Sequence, residues 1–351
     1  MSHNVQAGWN PGVPSSVTAL ANPNIALIKY WGKADEELIL PAAGSLSLTL
    51  NVYPTETQVK LMSELSNDEF FLNGTEQTPE ASRGVHKVLG LIRELAGVET
   101  RARVVSKNSG PTAAGLASSA SGYAALALAA SAVYGLELSP KELSRLARRG
   151  SGSASRSIFS GLSIWHAGTD AESYAEPVLG SALDLAMTIA EVSKAKKAIS
   201  SREAMRLTQE TSPFYAAWIT ENALNLNEML IALRANDFER VGELTEASFY
   251  RMTASMIGAM PAIRYFTAES VALLDLVREL RASGIPAYAT MDAGPNVKVL
   301  SQAEHAPKVR QALATVIADD KLVSALPGLG ARVEMVQYQA PTGAAPITLE
   351  F

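Results

Sequence analysis

The chain has 351 residues, 47% of them apolar and 19% charged, so it can form two domains with substantial cores and is too apolar for global disorder. Its net charge of −5 argues against a general nucleic-acid-binding protein, which usually carries a basic face. The absence of cysteine excludes disulfides, zinc–thiolate sites and thiol nucleophiles and fits a reducing compartment, and residues 1–16 lack the pattern of a secretory signal.

The N-terminal half alternates strand and helix signals. Period-two alternation predicts one long strand over 45–62, and Asn73-Gly74 predicts a tight hairpin turn. Helical spacing of apolar residues predicts a helix over 80–97 that ends at Gly97. The other predicted elements are a tail over 1–15, strand and turn over 16–31, a strand over 101–108, a helix over 139–150 capped by Ser139, and a strand over 162–168.

The C-terminal half is richer in helix signals. A strand is predicted over 184–193, and the domain boundary is placed near it. Two further strands separated by a turn are predicted over 287–301, and a closing strand over 331–339. Helices are predicted over 202–211, 213–234, 236–256, 268–283 and 303–317. The mixture of elements indicates an α+β protein in two halves.

Residues 108–136 contain no charge, yet their composition argues against a membrane span. Their first half consists largely of Pro, Gly, Ser and Thr, and large aliphatic residues are few. The segment instead predicts a glycine-serine loop that enters a buried, alanine-rich helix. Within it, residues 111–122 (PTAAGLASSASG) offer small residues before a helix N-terminus, where unsatisfied N–H groups bind anions. Either a phosphate-binding loop or a tightly packed helix explains this pattern.

Residues 150–161 (GSGSASRSIFSG) combine five serines and three glycines with a single arginine, Arg156. A flexible serine-rich linker would have this composition. The predicted helix over 139–150 and the predicted strand over 162–168 bracket the segment closely, which argues against a linker. Asp292 lies in a Gly-Pro turn after an apolar strand, and Lys29 follows another apolar strand. Taken alone, the aspartate could simply form a hydrogen bond within its own turn, and the lysine could simply be exposed to solvent.

Four stretches in order carry a family resemblance: 24–33 (NIALIKYWGK), 111–122, 150–161 and 291–296 (MDAGPN). The second resembles a motif of the superfamily of galactokinase, homoserine kinase, mevalonate kinase and phosphomevalonate kinase. Together the four resemble mevalonate diphosphate decarboxylase. The resemblance implies an ATP-binding N-terminal domain over 1–185, similar to domain 2 of ribosomal protein S5, and a ferredoxin-like C-terminal domain over 186–351. The last strand could return to the N-terminal domain, and the active cleft is expected between the two domains.

The resemblance implies roles for the principal polar residues. Arg156 would hold the substrate carboxylate, since a guanidinium forms a planar fork that matches it. Asp292 would meet the tertiary hydroxyl as a general base or as an orienting group, and Lys29 would stabilise charge on the transferring phosphoryl group. Further substrate contacts are expected from Asn24, Tyr30, Ser151, Ser153, Ser201 and Arg202, with Tyr30, Ser201 and Arg202 assigned to phosphate oxygens. Lys33 is a weaker candidate, and Trp31 is assigned to packing.

ATP and Mg²⁺ are the implied cofactors. The expected nucleotide contacts are Lys107, Asn108, Pro111, Ala114, Gly115, Leu116, Ala117, Ser118 and Ser119, and either of the two serines could reach a phosphate or Mg²⁺. The four histidines are scattered without ligand spacing, so no stored metal site is predicted. The expected location is cytoplasmic, and homodimers are common in this family.

The expected reaction converts mevalonate 5-diphosphate to isopentenyl diphosphate at the expense of ATP. The sequence leaves three alternatives open: mevalonate 5-phosphate as the substrate, a 3-kinase that does not decarboxylate, and a non-catalytic binding or regulatory protein with the same fold. The presence of both Lys29 and Asp292 favours a full decarboxylase, and the occupation of every expected reactive position argues against a non-catalytic protein.

Overall fold

The computed structural model describes residues 14–110, 118–193, 199–338 and 347–351. Its strands are β1 (Pro14–Ala21), β2 (Asn24–Ile28), β3 (Lys33–Asp35), β4 (Leu40–Pro41), β5 (Ser45–Thr49), β6 (Thr55–Met62), β7 (Glu69–Leu72), β8 (Thr75–Glu76), β9 (Arg101–Asn108), β10 (Leu162–Trp165), β11 (Ala175–Pro177), β12 (Leu185–Ala190), β13 (Ala287–Met291), β14 (Val297–Gln302), β15 (Leu322–Ala325), β16 (Arg332–Tyr338) and β17 (Ile347–Glu350).

The α-helices are α1 (Pro79–Ala96), α2 (Ser118–Val133), α3 (Pro140–Arg148), α4 (Ser201–Thr211), α5 (Tyr215–Ala235), α6 (Phe238–Ile257), α7 (Ala268–Ala282) and α8 (Ala306–Leu313). Short 3₁₀ helices span Gly152–Ile158, Ala303–His305 and Asp319–Lys321. Within the described ranges, no helix is long and apolar enough to cross a bilayer.

The N-terminal half is built on a seven-stranded sheet with strand order β17-β16-β1-β6-β9-β7-β8. Helix α2 packs on β1 and β6, and its alanines allow a close approach to the sheet. Near the end of the chain, β16 pairs antiparallel with β1 from Pro14↔Tyr338 to Leu20↔Arg332. The C-terminal strands therefore lie in the same sheet as the first strand.

Two four-stranded sheets position the site. One has the order β11-β10-β5-β2 and the other the order β13-β14-β12-β15. One apolar cluster joins them, because Ile25 and Leu46 of the former pack with Leu185 and Leu300 of the latter. Helices α5 and α6 add Met229 and further side chains to this cluster. The two halves thus share buried apolar surface, and α6 contacts both β2 and β13.

Most predicted elements are confirmed, with instructive differences. The single strand expected over 45–62 is wrong: β5 and β6 lie in different sheets, and the chain turns between them at Tyr53, which has a positive φ of 50°, and Pro54. The helix expected over 303–317 is α-helical only in α8. The helix expected from 236 begins at Phe238, because Asn236 is left-handed (φ 56°) and Asp237 caps the helix.

Candidate active site

Strand β2 connects the two clusters of polar side chains that form the site. All five of its residues are buried. Asn24, at its start, contacts the segment around Arg156, and Lys29, directly after its end, contacts Asp292. One short strand therefore determines the spacing between the two clusters.

The first cluster surrounds Arg156, which lies in the 3₁₀ helix Gly152–Ile158 and is only 2% exposed. Its Nη1 donates to Ser45 Oγ at 2.5 Å, and its Nε donates to Asn24 Oδ1 at 3.4 Å. Asn24 Nδ2 in turn donates to the Ser153 carbonyl (3.0 Å) and to Ser157 Oγ (2.7 Å). The asparagine thus fastens the arginine-bearing segment to β2.

An aromatic wall covers one side of this cluster. Trp165 is the cross-strand partner of Ser45, and its ring lies 5.7 Å from the guanidinium carbon of Arg156. Tyr30 packs edge-on against Trp165 with ring centroids 4.8 Å apart. A Cβ on Gly152 would lie 2.7 Å from the Trp165 ring, so this glycine is required for the 3₁₀ helix to approach the aromatic pair. Burial raises the pKa of Tyr30, so its hydroxyl remains a hydrogen-bond donor.

Arg156 carries a buried charge without an ion-pair partner. Among the described residues, no carboxylate lies within ion-pairing distance of its guanidinium; its polar contacts are a hydroxyl and an amide. Burial lowers the pKa of Arg156 to about 10, although the nearby Tyr30 and Asp292 oppose this shift. A buried cation held by neutral groups is well suited to bind an anionic ligand.

The second cluster centres on Asp292, which directly follows β13. Lys29 Nζ lies 2.7 Å from Oδ1, and Lys298 Nζ lies 3.0 Å from Oδ2. Both lysine side chains are 2% exposed, whereas the Asp292 side chain is 36% exposed. The backbone N–H of Lys29 donates to Ser248 Oγ on α6 at 3.0 Å, which fixes the chain as it leaves β2.

The two lysines determine the charge state of Asp292. Burial by itself would raise the pKa of this carboxyl, but the charges and hydrogen bonds of Lys29 and Lys298 outweigh it and hold the pKa well below its usual range. Burial also lowers the pKa of Lys29, despite its ion pair with Asp292. Asp292 is thus a carboxylate at neutral pH, with its accessible side free to accept a hydrogen bond.

The two clusters lie close enough for their charges to interact. The charge of Asp292 acts on the pKa of Arg156, and the charge of Arg156 acts on the pKa of Lys29. Together the clusters hold three cations (Lys29, Arg156 and Lys298) and one carboxylate (Asp292). This excess of buried positive charge favours a small anionic ligand that spans both clusters.

The serines predicted at the site connect Arg156 to the start of α2. Ser151 Oγ lies 3.4 Å from Ser119 Oγ and 3.5 Å from Ser153 Oγ. Ser118 begins α2, and its carbonyl accepts from Ser121 Oγ (3.2 Å). The N-terminus of α2 therefore lies beside the segment that carries Arg156. Of the other nucleotide candidates, Pro111, Ala114, Gly115, Leu116 and Ala117 lie outside the described residues.

Lys107 and Asn108 end strand β9. Asn108 Oδ1 accepts from Thr55 Oγ1 at 3.0 Å, and Thr55 Oγ1 lies 2.7 Å from Ser121 Oγ on α2. Asn108 thus supports the start of α2 through the threonine. Lys107 is exposed and lies opposite Glu56 in the strand register.

The remaining candidates lie around Tyr30. Ser200 is the cap of α4, since its side chain accepts from the Glu203 N–H, and Ser201 is the first helical residue. Arg202 is exposed, and its charge acts on the pKa of Tyr30. Lys33, the weaker candidate, is ion-paired with Glu36 at 2.5 Å.

Sequence reasoning missed Lys298, Ser45 and Trp165. Lys298 is the one charge in the apolar strand β14, and Ser45 is one of two fully buried serines in β5. A charged residue in an otherwise apolar strand was a usable signal for the lysine. The serine and the tryptophan gave no such signal, because their relation to Arg156 arises from cross-strand pairing.

The chain matches two domain profiles of one enzyme family. The diphosphomevalonate decarboxylase-like N-terminal domain matches residues 21–175, and the mevalonate 5-diphosphate decarboxylase C-terminal domain matches residues 187–340. Human diphosphomevalonate decarboxylase is 35% identical over 311 residues, which cover 82% of this chain and 77% of the human protein. The chain belongs to the diphosphomevalonate decarboxylase family.

Solved structures of the family agree in fold. One of them comes from Enterococcus faecalis and is described as showing a mevalonate diphosphate-mediated ATP-binding mechanism of mevalonate diphosphate decarboxylase. It is 45% identical to this chain with a TM-score of 0.86, and the match covers 91% of this chain and 98% of that chain. Another, described as MDDEF in complex with MVAPP, AMPPCP and magnesium, gives the same four values. The expected two-domain α+β fold is confirmed.

Proposed function

We propose that this protein catalyses the ATP-dependent decarboxylation of mevalonate 5-diphosphate to isopentenyl diphosphate, with release of ADP, phosphate and CO₂. The observation that carries the proposal is the pairing of two features in one site. At one end of β2 lies a buried guanidinium that has no carboxylate partner among the described residues, and at the other end lies a deprotonated aspartate between two lysines. Family membership agrees with this reaction.

Arg156 binds the substrate carboxylate. Its neutral partners, Ser45 and Asn24, orient the guanidinium without neutralising it, so an incoming carboxylate gains a charge-assisted hydrogen bond in a buried setting. Ser151 and Ser153 supply hydroxyls on the same segment. Because Asn24 fixes this segment to β2, the carboxylate is held at a set distance from Asp292.

Asp292 accepts the hydrogen bond of the tertiary hydroxyl. Its lowered pKa makes it a weak base, so its first role is to orient the oxygen toward the γ-phosphate of ATP. As the hydroxyl oxygen bonds to the γ-phosphorus, the bond from that phosphorus to the β–γ bridging oxygen breaks, ADP leaves, and the hydroxyl proton passes to Asp292. Lys29 lies against Oδ1 and stabilises negative charge on the transferring phosphoryl group. Elimination then follows. Phosphate departs from the tertiary carbon, the bond to the carboxyl carbon breaks, and its electron pair forms the new double bond as CO₂ leaves.

The phosphate groups bind at helix starts. Ser201 and Arg202, at the start of α4, and Tyr30 hold the substrate diphosphate. Ser118 and Ser119, at the start of α2, hold the phosphates of ATP, with residues 111–117 and Lys107 completing the nucleotide site. These donors suit an anion, since the first turn of α2 contains no acidic residue. Bound Mg²⁺ would neutralise phosphate charge; no cluster of three or more acidic or histidine ligands occurs within the described ranges, so its ligands would come mainly from ATP.

The domains divide this work. We propose an ATP-binding domain over 1–185 and a second domain over 186–351 that supplies Asp292, Ser201 and Arg202. The pairing of β16 with β1 supports the return of the chain end to the first domain. We further propose that the protein is a homodimer and that it is located in the cytoplasm, where ATP is available. Sedimentation tests the homodimer, and cell fractionation tests the location.

Product analysis tests the reaction. The purified protein is incubated with ATP, Mg²⁺ and either mevalonate 5-diphosphate or mevalonate 5-phosphate, and CO₂, ADP and the organic product are measured. We expect CO₂ and isopentenyl diphosphate from the diphosphate. A strong preference for the monophosphate would change the named substrate, ADP without CO₂ would indicate a 3-kinase, and no turnover of either would support a non-catalytic role.

A further inference from the structure

Lys298 is a buried cation in strand β14, where most of the neighbouring side chains are apolar. It lies in β14 between β12 and β13, with Ile189 and Thr290 as its direct cross-strand partners. Directly paired residues share a face of the sheet, and Ile189 on this face belongs to the apolar cluster that joins the two halves. The ammonium group therefore extends from a face whose other side chains are mostly hydrophobic. A buried charge in such a place is costly unless it is paired.

Lys298 forms an ion pair with the carboxylate of Asp292. Nζ lies 3.0 Å from Oδ2, and in the described part of the chain no other carboxylate forms an ion pair with this lysine. Lys29 occupies the other oxygen, Oδ1, at 2.7 Å. A single lysine would leave the carboxylate able to rotate about its bond to Cβ. Two lysines, one on each oxygen, fix its plane and leave its accessible side for the substrate.

We propose that Lys298 is a positioning residue, which holds Oδ2 of Asp292 so that the carboxylate stays ionised and correctly oriented toward the tertiary hydroxyl. Lys298 acts through Asp292 and is 2% exposed, so it is expected to influence turnover more than substrate binding. This inference rests on the proposed function, which assigns Asp292 to the hydroxyl.

The charges around Asp292 give the expected direction of a pH effect. They are Lys29 at the end of β2, Lys298 on β14 and Arg156 on the 3₁₀ helix; Ser248 is the neutral neighbour from α6. Glu191 is buried directly after β12, and its charge acts on Tyr53. Removing the Lys298 charge leaves Lys29 and Arg156 in place. The pKa of Asp292 then rises toward its usual range. On acidification, the variant therefore loses activity at a higher pH than the wild type does.

The test replaces Lys298 with methionine, which matches the lysine side chain as far as Cε, lacks the ammonium group and suits the apolar face. In Lys298→Met we expect kcat to fall about tenfold with KM little changed, and the acid limb of the pH profile to move up by about one pH unit. Lys298→Arg should keep much of the wild-type kcat and leave the acid limb close to its wild-type position. The matched control is Lys308→Met on the exposed surface of α8, which should change neither.

The inference is overturned if Lys298→Met keeps both the wild-type kcat and the wild-type acid limb. It is also overturned if KM rises at unchanged kcat, which would make Lys298 a substrate-binding group. If the methionine variant does not fold, Lys298→Gln is measured under the same criteria. Carbon-13 NMR of the Asp292 carboxyl in the substrate-free protein reads the same pKa shift without turnover. A wild type that releases no CO₂ would overturn the proposed function, whereas an unmoved NMR titration would overturn the role of Lys298 alone.

Discussion

Arg156 and Lys29 are both buried cations at opposite ends of strand β2, yet their partners differ. Arg156 is held by a hydroxyl and an amide, whereas Lys29 is paired with a carboxylate that Lys298 also contacts. The neutral partners leave the guanidinium charge available to a ligand. The carboxylate partner offsets one of the two lysine charges in the other cluster and can accept a hydrogen bond from a hydroxyl. The difference agrees with the proposal that one end binds an anion and the other carries out the chemistry.

Removing the carboxylate should have the largest effect. In Asp292→Asn, we expect kcat to fall about 10³-fold, because the amide cannot accept a proton and two buried lysines lose their counter-charge. Single-turnover release of CO₂ measures the change. The control is Asp320→Asn at an exposed position. A wild-type rate in Asp292→Asn would remove this residue from the chemistry.

Changing the guanidinium should mainly affect binding. Arg156→Lys keeps the charge but loses the planar fork, so we expect kcat/KM to fall about 10- to 100-fold, mostly through KM. Steady-state kinetics in mevalonate 5-diphosphate measures it, with Arg278→Lys on the exposed face of α7 as the control. A fall in kcat at constant KM would assign Arg156 to the chemical end instead.

Alkaline pH should weaken the site through its cations. Burial lowers the pKa of Arg156 to about 10 and also lowers that of Lys29. A base with a lowered pKa loses its charge earlier as the pH rises, so kcat/KM should decline by about tenfold per pH unit once the pH exceeds the lower of the two values. On the acid side the low pKa of Asp292 predicts no decline near neutrality. Activity that increases up to pH 11 would contradict this assignment.

The smallest expected effect concerns Ser45. Ser45→Ala removes the hydroxyl that accepts from Arg156 Nη1, and we expect kcat/KM to fall about fivefold, the scale of one hydrogen bond to a charged group. Ser47→Ala is the matched control, because Ser47 is equally buried on the same strand and lies 3.5 Å from Ser163 Oγ instead. Equal effects of both substitutions would indicate a packing role.

The sequence predicted those parts of the site that lie within one continuous stretch. Arg156 stands out among serines and glycines, whereas Asp292 was singled out by the family resemblance of residues 291–296 and not by its turn alone. Ser45 was missed because its importance arises from strands that meet in space, whereas the lone charge of Lys298 in strand β14 was a signal that the sequence did offer. The predicted strand over 45–62 failed for a related reason: its alternation continues through Tyr53 and Pro54, where the chain changes sheets.

The helices were easier to predict because their limits are local. Ser139 and Thr78 cap α3 and α1, and Gly97 ends α1 in the left-handed region (φ 67°). The shared apolar cluster to which β2 and β14 both contribute depends on the tertiary fold, which no local pattern encodes.

A binding comparison tests most directly whether Arg156 receives the carboxylate. Calorimetry measures the affinity for mevalonate 5-diphosphate and for 3-hydroxy-3-methylbutyl diphosphate, which lacks the carboxylate, in the wild type, Arg156→Met and Asp292→Asn. We expect the wild type to prefer the carboxylated ligand by at least about tenfold, Arg156→Met to lose that preference, and Asp292→Asn to keep it. A preference that survives in Arg156→Met would contradict the assignment.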